Sequence, residues 1–214
     1  TLPALLSYAF QEPQQSTETP LWVVQADTLA ESFSGERDTA QRMTVIQSQG
    51  KDRQTFAPLT LRQAAAALAK GEPLLIPALS VGEAGLAFAG FALYQDGAIT
   101  RWLTGPAALG AALLSGEKIH WTGSLGEEAL TLQSTGCQVH PVWEGGRVVG
   151  LDLRCRLEGV LTGGWTGEAT DPAPLERETA QAMLQALDQL QAAGADAAGL
   201  LGRAGLSNPF RWDA

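Results

Sequence analysis

At 214 residues and 45% hydrophobic composition, the chain is long enough for one large domain or a few small ones with cores of their own. Its formal net charge of −9 argues against nucleic acid, whose phosphates it would repel, and against docking on anionic lipid by charge alone. No apolar run approaches the ~20 residues that a membrane-spanning helix needs.

The opening Thr1–Leu6 has neither an initiator Met nor a basic n-region, so a fragment or a processed chain is expected. Leu2–Phe10 reads as the tail of a helix, and the polar, Pro-bounded Gln11–Pro20 as a linker. Leu21–Ala26 is β-rich and suits a buried strand; Asp27 then caps a short helix, Thr28–Phe33. With no partner strand in sight, this unit predicts the remnant of an N-terminal domain over residues 1–54. Gly35–Pro58 is polar and shows no sustained period, with Thr44–Gln47 its candidate element.

A middle unit is expected over 55–116. Thr60 and Gln63 have capping-box spacing ahead of the helix Leu61–Lys70, and Gly71 stops it. Leu74–Leu79 must be extended before Pro77, which predicts an edge or irregular strand because proline cannot donate to a ladder. Leu86–Tyr94 and Ala98–Leu103 flank Asp96-Gly97, a pair that takes the φ > 0 conformations of a tight primed turn. Thr104 is placed as N-cap, with Pro106 in the first turn of the helix Ala107–Leu114 and Gly116 closing it.

From 117 to 214 the pattern is a meander with helices. Lys118–Trp121, Ala129–Ser134, Gln138–Trp143 and Arg147–Leu161 read as consecutive antiparallel strands, the last two joined at Gly145-Gly146. Gly163–Gly167 reads as flexible. A long helix opens at Asp171–Pro174 and ends at Gly194, with Leu175, Met183, Leu184, Leu187 and Leu190 as the stripe expected to cover the sheet. Ala195–Ala204 is weaker helix, and Asn208–Trp212 ends the chain with two aromatic residues. The fold class is α+β: consecutive small mixed units, an antiparallel meander packed against a long amphipathic helix, and a partial N-terminal αβ domain.

Little in the sequence is chemically reactive. Cys137-x-x-His140 with Cys155 and His120 are the soft ligands, but their spacing matches no closed zinc pattern, so no metal is assigned. With Gly145-Gly146 as the loop, Cys137 should pair with Arg154, leaving Cys137 and Cys155 on opposite faces; a bulge would bring them together and allow a disulfide. The favoured reading is two isolated thiols, with Cys155 among Leu151, Leu153 and Leu157. There is no Gly-x-Ser-x-Gly elbow and no phosphate loop, and Asp152, Glu158 and Glu168 form no supported carboxylate pair. Catalytic residues and cofactors are assigned to none, and ligand-binding residues stay open. The six tryptophans, at 22, 102, 121, 143, 165 and 212, are dispersed and read as packing residues, with Trp165 the one expected to be exposed.

Gly90, Ala92, Leu93, Tyr94, Asp96, Gly97, Ile99, Trp102 and Leu103, followed by the Ala107–Leu114 helix and Gly116, make a pattern of residues and spacing. It resembles the hairpin and helix of the Ger(x)C family, the lipoprotein C subunits of nutrient germinant receptors in bacterial spores. Leu74–Leu79 resembles the family's extended Leu-Pro segment, and the remaining elements from about residue 21 follow the family's order. The lipid-modified Cys, most of the N-terminal domain and the last strand expected beyond Trp212 are not in this sequence. The resemblance implies a non-enzymatic subunit, lipid-anchored on the outer face of the spore inner membrane and bound to integral-membrane A- and B-type subunits. The rival expectation is an extracytoplasmic small-molecule-binding or hydrolytic domain using the concave face of the meander. That would need a pocket gathering His120, His140 or Cys137 with carboxylates. A third is an interaction module unrelated to spores.

Overall fold

The computed structural model describes residues 1–11, 17–25, 56, 58–82, 85–116, 118–125, 128–161 and 171–207. The elements expected at Thr28–Phe33 and Thr44–Gln47, the Gly163–Gly167 stretch, Trp165, Glu168 and the Asn208–Trp212 end lie outside these residues.

A four-stranded mixed sheet organises the first half. It contains β2 (Val23–Gln25), β4 (Leu74–Gly82), β5 (Gly85–Gln95) and β6 (Ala98–Leu103), in that order across the sheet. The reading of Leu21–Ala26 as a strand without a partner is corrected. It divides at Trp22: β1 (Pro20–Leu21) pairs with β3 (Leu59–Thr60), while β2 runs parallel to β4, Val23 opposite Ala78. That partner lies too far along the chain for local pattern to reveal.

β4 is therefore a central strand, which corrects the edge position inferred from Pro77. Pairing with β2 begins only at Ala78, so at Pro77 the ladder is complete on the β5 side alone, where Pro77 faces Phe91. The β4–β5 register also shifts at Ala78/Leu79, next to the proline. A residue without an N–H is tolerated where a flank is open or a bulge interrupts pairing.

The hairpin between β5 and β6 forms as expected, with Asp96 and Gly97 at φ 53° and 88°. A side chain at φ > 0 is uncommon, and Asp is one of the residues that tolerates it. Beyond β6 the chain enters α3 (Pro106–Leu114). Its N-cap is Gly105 at φ 55° with no side-chain hydrogen bond, so Thr104 is corrected from cap to preceding residue. Pro106 takes the first turn as expected, since its missing N–H would have been an orphan there anyway.

Each face of this sheet has a core. On one side Leu74, Ile76 and Tyr94 pack with Leu6 of α1 (Leu2–Gln11) and with Leu61 and Ala64 of α2 (Leu61–Lys70). The start of α2 is held by a full capping box: Gln63 N–H donates to Thr60 Oγ1 at 3.2 Å, and Thr60 N–H donates to Gln63 Oε1 at 2.8 Å. On the other side Phe91, Leu93 and Leu103 meet α3, which is buried on nearly every face. An aromatic cluster seals this second core. Phe56 stacks on Phe88 with centroids 4.2 Å apart, and Trp22 meets Phe56 edge-on at 5.2 Å. Phe91 completes it edge-on to Phe88 at 5.6 Å.

The second half is a three-stranded antiparallel meander of β7 (His120–Leu125), β8 (Glu128–Glu144) and β9 (Arg147–Leu161). The strand expected at Lys118–Trp121 starts later, although Ile119 is fully buried and exchanges bonds with Ser134 just ahead of it. The strands expected at Ala129–Ser134 and Gln138–Trp143 are one continuous β8 with a register shift between Ser134 and Cys137.

The long helix α4 (Ala173–Ala192) buries Thr179, Ala182, Met183, Ala186 and Leu190. It packs on α3 and touches the meander at β7. Leu184, placed on the stripe by sequence, is 59% exposed. The face is set by small residues that permit close approach to α3, whereas sequence reading weights leucine over alanine. α5 (Leu200–Ser207) then packs on β8. Its start is held by Asp196, whose Oδ1 and Oδ2 accept the N–H groups of Leu200 at 2.7 Å and Leu201 at 2.9 Å. Asp196→Ala removes both acceptors and is expected to lower stability by about 1–2 kcal/mol. Asp196→Asn should lose less, and urea denaturation of the two variants checks the ranking.

Candidate functional site

Concave surface is found on both sides of the α2–β4 connection. One cleft of about 430 Å³ runs between α2 and β4 on one wall and α3 and the Asp196–Gly202 segment on the other, with Gln63, Glu72, Phe91 and Ser115 along it. A groove of similar volume, about 430 Å³, lies beneath α1 against the Asp96-Gly97 turn, lined by Leu6, Phe10, Leu68 and Tyr94. The Tyr94 hydroxyl is buried without a hydrogen-bond partner. Both walls are mainly apolar. In the first cleft, both carboxylate oxygens of Asp196 accept from the start of α5. None of His120, His140, Cys137 or Cys155 lines either cleft.

The soft-ligand residues separate into different neighbourhoods. Cys137 stands directly opposite Cys155, which corrects the expected pairing with Arg154. Trp143 pairs with Val148 as expected, but Val142 pairs with Gly150, so Val149 is an extra residue on β9. The pairs from Val142 to Cys137 move by one, until a second shift between Cys137 and Ser134 restores the first register. Both thiols are free and half-buried, in a row with Val139, Leu151, Leu153 and Leu157 against the core. His140 projects from the other face of β8, exposed and opposite Asp152, which itself pairs with Arg154 at 2.8 Å. His120 lies on β7 opposite Gln133, its Nδ1 buried without a partner. Among the described residues no group of three or more His, Cys, Asp or Glu could hold a metal ion. Trp22 packs in the aromatic cluster, and Trp102, Trp121 and Trp143 are half-buried.

One residue that sequence reading passed over joins three elements. From α5, the Arg203 guanidinium donates to the carbonyls of Cys137 on β8 at 3.1 Å, Leu114 at the end of α3, and Ala198 at 3.4 Å. It also lies beside the Cys137 thiol. Burial raises the Cys137 thiol above its ordinary value, and the charge and hydrogen bond of Arg203 act in the opposite direction. Burial, with Cys137 adding to it, pushes Cys155 up to about 11. The available signal was a lone cation in the otherwise uncharged stretch Leu200–Ser207.

No protein-family model matches the chain, and a search of curated proteins finds no significant relative. Among solved structures, the crystal structure of the GerBC protein matches with a TM-score of 0.68 at 16% identity, over 98% of this chain and 65% of the GerBC chain. The chain thus has a Ger(x)C-like α+β fold and spans about two thirds of the length of the GerBC chain. The likeness carried by Gly90–Gly116 in sequence holds at the level of fold.

Proposed function

We propose that this chain is the C-type subunit of a spore nutrient germinant receptor and works without catalysis, as a scaffold that holds the integral-membrane A- and B-type subunits together. The observation that carries this reading is the GerBC-like fold over 98% of the chain, joined to the Gly90–Gly116 pattern in the sequence. The site chemistry favours it as well. Neither cleft is lined by His120, His140 or Cys137, and the core-side face of the meander is packed against α3 and α5 rather than open. β9 forms the outer edge of its sheet and exposes Val148, Val149 and Val160, a surface suited to covering by another protein.

No described helix is long and apolar enough to cross a membrane. Attachment to the outer face of the spore inner membrane would come from a lipid anchor outside this sequence. The test is co-purification: the lipidated full-length protein, tagged and expressed with A- and B-type subunits, should bring both down from detergent-solubilised membranes. Recovery of neither would overturn the reading.

A further inference from the structure

The region around Cys137 carries an inference independent of receptor membership. Directly opposed residues of an antiparallel pair have Cα atoms about 4.5 or 5.5 Å apart, depending on the kind of pair. A disulfide accepts Cα separations of about 4.4–6.8 Å. Cys137 and Cys155 are such a pair, both free, both half-buried on the same face, with Arg203 beside one of them. We infer that Cys137 and Cys155 are a thiol–disulfide site, which a low-molecular-weight disulfide converts to an intramolecular cross-strand bond.

The order of events follows from the surroundings. The thiolate is the attacking species, and Arg203 favours it at Cys137 while nothing comparable does so at Cys155. Cys137 Sγ attacks one sulfur of the small disulfide, forming a mixed disulfide and releasing one small thiolate. Cys155 gives up its proton to solvent and attacks Cys137 Sγ, forming the Cys137–Cys155 bond and releasing the second small thiolate. The two protein thiols lose two hydrogens, and the small disulfide is reduced to two thiols. Both thiols are half-buried and not fully enclosed, which leaves the reagent a path to Cys137.

The experiment incubates the chain with glutathione disulfide at mildly alkaline pH, then denatures it without reductant and alkylates it. The expected product is a monomer lighter by two hydrogens, with both cysteines protected and a Tm higher by roughly 5–10 °C. Cys155→Ser should stop at a glutathione adduct on Cys137, and Cys137→Ser should form its adduct at least tenfold more slowly. Two alkylatable thiols after treatment would overturn the inference. So would a disulfide-linked dimer, or a stable glutathione adduct on the unsubstituted chain. Wild-type protein serves for the main arm, so none of these outcomes depends on whether a variant folds.

Discussion

Gly110→Ala is expected to lower stability by about 3–5 kcal/mol, among the largest losses a single methyl can cause. Gly110 lies mid-way along α3, on the side that meets α4. A Cβ there would overlap the carbonyl oxygen of Ala182 and crowd the peptide that follows it. The obstacle is backbone, so no side-chain rotamer can move aside, and the helices would have to separate. Separation would open the packing of α3 on α4, helices on which Ala107, Ala111, Ala182 and Ala186 are all 2% exposed or less. At this chain length the loss should appear as a Tm drop of roughly 6–20 °C in thermal unfolding by circular dichroism. Ala182→Gly should give no rescue, because the carbonyl remains. A drop of under a degree, or full rescue by Ala182→Gly, would sink this account of the helix pair.

Gly110 also shows what kind of information the sequence held. Glycine inside a helix is unfavourable by roughly 1 kcal/mol relative to alanine, so Gly110 within Pro106–Leu114 was a signal of close approach that sequence reading passed over. What approached was not legible, because the contact with Ala182 is made across the sequence and not along it. The same division runs through the fold. The Thr60–Gln63 capping box, the Asp96-Gly97 turn and the Gly145-Gly146 turn depend on a few adjacent residues, and each formed where it was expected. Of the two readings that Pro77 allowed, the irregular strand holds, with the register shift at Ala78/Leu79. The edge strand does not, because the pairing of β2 beyond Pro77 could not be read locally. Cys137 was misplaced because one extra residue near the β8–β9 turn shifts the register by one from Val142 to Cys137, before a second shift ahead of Ser134 restores it. Thr104 was a better cap than Gly105 by side-chain chemistry, but the chain turns at Gly105, φ 55°, to enter α3. The aromatic cluster joins Trp22, Phe56, Phe88 and Phe91 from separate segments, and nothing local announces it.

The candidate site divides in the same way. The Gly90–Gly116 pattern pointed to the fold that the structure has. The thiol pair and its arginine needed three long-range facts: the shifted register, the docking of α5 on β8, and the turn that brings the end of α3 alongside. None has a local signature, since each reflects how separate segments pack.

Arg203 is where those three facts meet, and its removal should have the second large effect. Arg203→Met keeps much of the aliphatic stem but leaves the carbonyls of Leu114, Cys137 and Ala198 without this donor. Hydrogen bonds to a charged group contribute about 1.5–3 kcal/mol each, and a cation near a helix C-terminus adds up to ~2 kcal/mol. The gain is partly offset by desolvation of the guanidinium, whose Nε is buried with no partner. The net loss on substitution should be about 2–4 kcal/mol, seen as a lower urea midpoint with the slope unchanged. Arg203→Lys should fall between wild type and Arg203→Met, because an ammonium keeps the charge but cannot span the same carbonyls with a planar fork. If Arg203→Lys and Arg203→Met prove equally stable, the charge is irrelevant and the stem alone holds α5. If Arg203→Met matches wild type, the staple between α3, β8 and α5 contributes nothing to folding, and the docking of α5 rests on Leu200 and Ala204, the two residues it buries against the core.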